Sequence, residues 1–99
     1  MPYIKKVRSW VNVMKRIANL SIIVEEADDD NITKINNILH AYSEHILGRM
    51  GVPDKVHDVN IISTALCASL DDLNSITGKL GKIKNVNAKV LISNKEYDS

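Results

Sequence analysis

Strand-type and helix-type patterning alternate along this chain in the order β-α-β-β-α-β, with only a short turn between the two central strands. Its 99 residues, 44% apolar and 25% charged, suffice for one hydrophobic core and not for two. Together these observations predict an α+β fold of the ferredoxin-like βαββαβ type. A four-stranded antiparallel sheet carries two helices on one face. The domain is expected over residues 16–93, between a basic N-terminal arm or short helix at 1–15 and a polar tail at 94–99.

Ile17 to Glu25 (IANLSIIVE) is rich in Ile, Leu and Val and too short for a typical isolated helix, so it reads as a largely buried first strand. Asp28-Asp29-Asp30-Asn31 follows. Carboxylates suit a helix N-terminus because they face its unpaired N–H groups and its dipole. Ile32, Ile35, Ile38, Leu39 and Tyr42 then step at helical spacing, which predicts a helix from about Ile32 to Glu44. The Asp triplet is a solvated cap on this reading, because no DxDxDG-type calcium loop is present.

From Ile46 to Val52 the residues alternate as a strand, weakened by Gly48 and Gly51. Glycines in a strand mark bulges or close backbone approach. Pro53-Asp54-Lys55 signals a turn, and Val59 to Ala68 (VNIISTALCA) completes an antiparallel hairpin. Ser69-Leu70-Asp71-Asp72 resembles a capping box, and Leu70, Leu73, Ile76, Thr77 and Leu80 supply the face of a second helix. Gly81 fits its C-terminal cap, with Lys79 and Lys82 at the negative end. Val86, Ala88, Val90 and Ile92 alternate with Asn87, Lys89, Leu91 and Ser93 as a last strand. Leu47, Ile62, Leu66 and Leu91 are expected on the sheet face opposite the helices. So much exposed apolar area exceeds what a monomer tolerates, which predicts a homo-oligomer, in the first place a dimer.

The net charge of +1 hides an asymmetry. Lys5, Lys6, Arg8, Lys15 and Arg16 give the first sixteen residues +5, and the remainder carries −4. Ile4, Val7, Val11 and Met14, with Trp10 beside them, form a short apolar stripe in that arm. The arm reads as a membrane-surface or partner-binding helix, as a segment folded on its own domain or subunit, or as residues preceding a start at Met14.

Composition excludes several functions. An acidic body repels phosphates, so no specific nucleic-acid partner is expected. The four aromatics (Tyr3, Trp10, Tyr42, Tyr97) lie outside the predicted strands, where an RNA-recognition domain needs them for base stacking. The single cysteine, Cys67, rules out a disulfide framework and paired-cysteine metal or redox motifs and fits a cytoplasmic protein. No apolar run is long enough for a membrane span. No GxGxxG or phosphate-binding glycine loop is present, no nucleophile–base–carboxylate pattern accompanies Cys67, and no cofactor is expected.

Arg49 lies between Gly48 and Met50 on a predicted strand, with Gly51 nearby, where a ligand can approach the backbone closely. Lys79 at the end of the second helix is a further cation for an anionic ligand, although a helix C-terminus is the wrong dipole end for one. Arg49, Gly51 and Lys79 are therefore the candidate ligand-binding residues. His45, His57 and Cys67 are the weaker, metal-binding alternative, since imidazole and thiolate suit transition metals but their spacing forms no compact motif.

The stretch Ser43-Glu44-His45-Ile46-Leu47-Gly48-Arg49-Met50-Gly51-Val52-Pro53 and the later Thr77-Gly78-Lys79-Leu80-Gly81 resemble the family described as regulators of the iron-only hydrogenase system. Its pattern is roughly S-E-x-I-L-x-R-x-G-x-P followed by [ST]-G-K-L-G, and the resemblance covers about residues 15–93. It implies an ACT-like, ferredoxin-fold dimer similar in shape to the C-terminal domain of the nickel-responsive regulator. The His-x-His nickel pattern of that domain is absent here. The expected function is a non-enzymatic regulatory module, a homodimer that binds a small ligand or a protein partner. The alternatives are a scaffolding dimer without ligand and a metal-responsive module.

Overall fold

The computed structural model describes residues 14–98. The arm's apolar stripe through Ile4, Val7 and Trp10 lies outside them. Along the chain run β1 (Arg16–Glu25), α1 (Asp29–Ala41), a 3-10 turn (Ser43–His45), β2 (Ile46–Asp54), β3 (Val59–Ala68), α2 (Leu70–Gly81) and β4 (Val86–Ile92). The sheet order is β2-β3-β1-β4, antiparallel throughout. This is the predicted ferredoxin-like fold. No helix among the described residues is long and apolar enough to cross a membrane.

The core is the layer between helices and sheet. In β1, Ala18, Leu20, Ile22 and Val24 are buried at every second position. The strand is half buried and not largely buried as expected, because helices cover only one face and leave Ile17 and Ile23 exposed. Ile62, Leu66 and Ala68 of β3 join them, as do Ile35 and Leu39 of α1 and Leu73, Ile76 and Leu80 of α2. Each fully buried leucine or isoleucine contributes about 1.5–3 kcal/mol. Ile62 and Leu66 were expected on the opposite face, and the register corrects this. Both share a face with Thr64, which pairs with the buried Leu20.

Helix α1 starts where the carboxylates predict. Asp28 is extended (φ −94°, ψ 169°), and its side chain accepts from the Asn31 N–H at 2.8 Å. Asp28→Ala should therefore cost about 1 kcal/mol, lowering Tm by roughly 4–8 °C for a domain this size. A circular-dichroism melt measures it. The helix begins three residues earlier and ends three residues earlier than its apolar period implies. After Ala41 the chain tightens at Tyr42, whose N–H meets the Leu39 carbonyl at 3.2 Å, and continues as the 3-10 turn.

Two local expectations are corrected. Pro53 and Asp54 still pair, with Asn60 and Val59, and the turn falls on Lys55–Asp58. An edge strand tolerates proline's missing N–H donor. Gly81 is the last helical residue with an ordinary negative φ, and the left-handed residue after α2 is Asn85 (φ 64°). Asparagine is among the side chains that adopt this region most readily. Asn85 Nδ2 donates to Glu26 Oε2 at 3.1 Å, and the buried Asn31 donates to the Lys84 carbonyl at 3.0 Å. The connections around α1's start and before β4 thus hold each other.

Candidate functional site

The helices leave the other side of the sheet bare, and the register shows what stands there. One row across the strands is Val52, Ile61, Ile23 and Asn87. The next is Met50, Ser63, Ser21 and Lys89, and the third Gly48, Ala65, Asn19 and Leu91. Ile17 and Cys67 pair beyond them. Ile23, Val52 and Ile61 are 42–46% exposed, Met50 62% and Leu91 76%. Polar groups are concentrated toward the middle, where Ser63 Oγ donates to Asn19 Oδ1 at 3.1 Å. The outcome for the four residues expected on this face is mixed. Leu91 lies there, Leu47 is exposed at the bulge between Ile46 and Gly48, and Ile62 and Leu66 are core.

A second feature arises because β2 lies beyond the cover of the helices. Its residues 47 to 53 are exposed on both faces. Arg49 and Gly51 point to the helix side, as their partners Thr64 and Ile62 do. Arg49 Nη2 reaches back to Asn36 Oδ1 of α1 at 3.0 Å. Between α1 and the β2–β3 pair remains a hollow of about 240 Å³, bordered by Ile32, Asn36, Arg49, Gly51, Asn60 and Ile62. A larger and more open depression of about 550 Å³, sharing Asn36 and Arg49, is lined by Asn37, Leu39, His40 and Ser43.

Of the predicted ligand-binding residues, the structure brings Arg49 and Gly51 together and leaves Lys79 apart. Lys79 Nζ donates to the Tyr42 hydroxyl at 2.9 Å and lies 5.1 Å from that ring's centre. It ties the end of α2 to the end of α1. The three residues of the metal alternative are not brought together. His45 Nε2 lies 3.6 Å from both Glu44 Oε1 and Asp72 Oδ2, against the first turn of α2. His57 sits beyond the opposite end of β2, roughly 30 Å of extended strand away. Its Nδ1 lies 2.8 Å from Asp54 Oδ2, and this contact, with the N–H groups of His57 and Val56, holds the Asp54 carboxyl below its ordinary range. Cys67 belongs to the open sheet face. Among the described residues no three His, Cys, Asp or Glu side chains converge as metal ligands.

Sequence reasoning missed Asn36 as the partner of Arg49 and Asn60 as a further residue bordering the hollow. Polar residues on an exposed helix face and at a strand start carry no signal of their own. Only the spacing Arg49-x-Gly51 on one strand face pointed to this place.

The family model described as "Iron-only hydrogenase system regulator, putative" (TM1266-like) matches residues 16–90. Among solved structures, the chain is similar to the uncharacterized protein TM1266 from Thermotoga maritima at 35% identity and a TM-score of 0.76, over 79% of this chain and 96% of that one. It is also similar to the ACT domain from the GTP pyrophosphokinase of Chlorobium tepidum, at 15% identity and a TM-score of 0.67, over 78% of this chain and 99% of that one. At that identity the likeness is one of fold alone. A comparison with curated proteins finds no match. The match over most of the chain, the 35% identity to the Thermotoga protein and the ACT-like sheet agree, and the chain belongs to the TM1266-like iron-only hydrogenase system regulator family.

Proposed function

We propose that this chain is a non-enzymatic regulatory module that works as a homodimer, joined through its open sheet face, and responds to a small ligand or a protein partner. The family's description supports regulation, and an ACT-like fold accords with a binding role. The observation that carries the dimer is the apolar row Val52–Ile61–Ile23, with Met50 and Leu91 nearby, which no element among the described residues covers. Exposed apolar patches of this kind mark contact surfaces. A second copy is the occupant that fits. The face is self-complementary in character, with apolar residues toward its ends, Ser63, Ser21 and Asn19 between them, and Asn87 and Lys89 confined to its β4 edge. Gly48 and Ala65 leave a low spot into which Met50 or Leu91 of a symmetry mate can settle.

Light scattering on a sizing column, at micromolar protein, tests the reading. A mass of about 22 kDa or a multiple is expected from a chain of 11.0 kDa. A clean monomer across the micromolar range would overturn the dimer.

A further inference from the structure

We infer that the hollow beside Arg49 is a binding site for a small carboxylate with a short aliphatic body. This deepens the regulatory reading above by giving the module a ligand class, and it rests on that reading. Four observations converge. First, the guanidinium of Arg49 hydrogen-bonds to the neutral Asn36, and among the described residues no carboxylate is in ion-pair contact with it. A planar donor fork held from one side by a neutral amide keeps N–H groups for a carboxylate.

Second, the backbone does not require Gly51. Its φ is not positive, and an added Cβ would meet nothing within 4 Å. Valine or isoleucine is the more favourable choice in a strand, by up to about 1 kcal/mol. The missing side chain is what leaves the floor of the hollow open beside Arg49. Third, the walls are mixed in the way a small-molecule site requires. Ile32 and Ile62 are apolar, and Asn36 and Asn60 offer orienting amides. Fourth, the hollow's 240 Å³ is below the roughly 300–1,000 Å³ of sites for drug-sized molecules and suits a branched acid of a few carbons. The carboxylate pairs with Arg49, and the aliphatic part lies over Gly51 against Ile32 and Ile62.

The test is a titration of the ¹⁵N-labelled full chain followed by amide shifts, with three probes. They are 3-methylbutanoate, its neutral isostere 3-methylbutanamide, and inorganic phosphate. 3-Methylbutanoate should shift the amides around Asn36, Arg49, Gly51 and Asn60 in a saturable way. The amide and phosphate should each bind at least about tenfold more weakly, the first lacking the charge-assisted hydrogen bond and the second the apolar body. Arg49→Gln should weaken the acid by at least about tenfold. Gly51→Val should abolish its binding while leaving the rest of the spectrum and the fold intact. No saturable shift overturns the proposal, as do shifts elsewhere, phosphate binding as tightly as the acid, or an acid indifferent to Arg49→Gln.

All the residues concerned lie on one protomer. Scattering mass measured on the same samples therefore separates the two readings. Loss of ligand binding leaves the dimer standing, and a monomeric protein leaves the titration readable.

Discussion

Ile61→Lys should turn the protein into a monomer. Ile61 stands between Val52 and Ile23 in the apolar row of the open face and is 45% exposed in the single protomer. In a dimer joined face to face it becomes buried. An uncompensated charge buried there costs about 3–5 kcal/mol, and a twofold interface contains each residue twice. The dissociation constant should rise at least about a thousandfold, and the scattering mass should fall to that of the single chain, 11.0 kDa. The fold should survive, because the residue makes no part of the helix-side core. A dimer that persists in Ile61→Lys, with an unchanged melt, would show that copies meet through some other surface.

The second large effect is a gain. Thr64 is fully buried on the helix side of β3, and its hydroxyl has no hydrogen-bond partner among the described residues. Its cross-strand neighbours are Leu20 and Arg49. A hydroxyl removed from water without a partner costs roughly 1–3 kcal/mol, and valine has nearly the same shape without that cost. Thr64→Val should stabilise the protein by about 1–2 kcal/mol, with Tm rising by roughly 4–8 °C per kcal/mol. The melts must be compared at equal protein concentration, since dimerisation itself shifts Tm. A lower Tm for Thr64→Val would mean that the hydroxyl has a partner in solution.

The sequence made much of the fold legible, for physical reasons that differ between elements. β1 is legible as a strand from its Ile, Leu and Val content. Ile17 and Ile23 stand on its exposed parity, so the burial of Ala18, Leu20, Ile22 and Val24 alone is set by the helices packing on one face. Asp28 and Ser69 announce helix starts because their side-chain oxygens suit unpaired N–H groups, and both accept such bonds, from Asn31 and Asp72. β3 was ambiguous. Its two parities, Ile62-Thr64-Leu66-Ala68 and Ile61-Ser63-Ala65-Cys67, are almost equally apolar, so only pairing with β1 decides which is buried. Gly81 misled for a similar reason. Glycine after a helical run favours a left-handed cap, yet the hydrogen bond of Asn31 to Lys84 and that of Asn85 to Glu26 hold the later residues, and Asn85 takes the turn.

The site was legible in part. Arg49 and Gly51 stand two residues apart on one strand face, which strand periodicity alone implies. That α1 stops short of β2, leaving a hollow there, depends on how the helices lie on the sheet, and no local pattern encodes it. Lys79 and the His45, His57 and Cys67 set were proposed from chemical type, and type without tertiary placement does not bring side chains together.

In the proposed dimer two copies meet through the open sheet face. An isotope-filtered nuclear Overhauser experiment on a mixture of ¹³C-labelled and unlabelled full chain tests it directly. Copies joined through this face give intermolecular contacts from the methyl groups of Ile23, Val52 and Ile61, the row that the register places together there. Intermolecular contacts confined to the helices or to the outer edge of β2 or β4, with none from those three side chains, would contradict it.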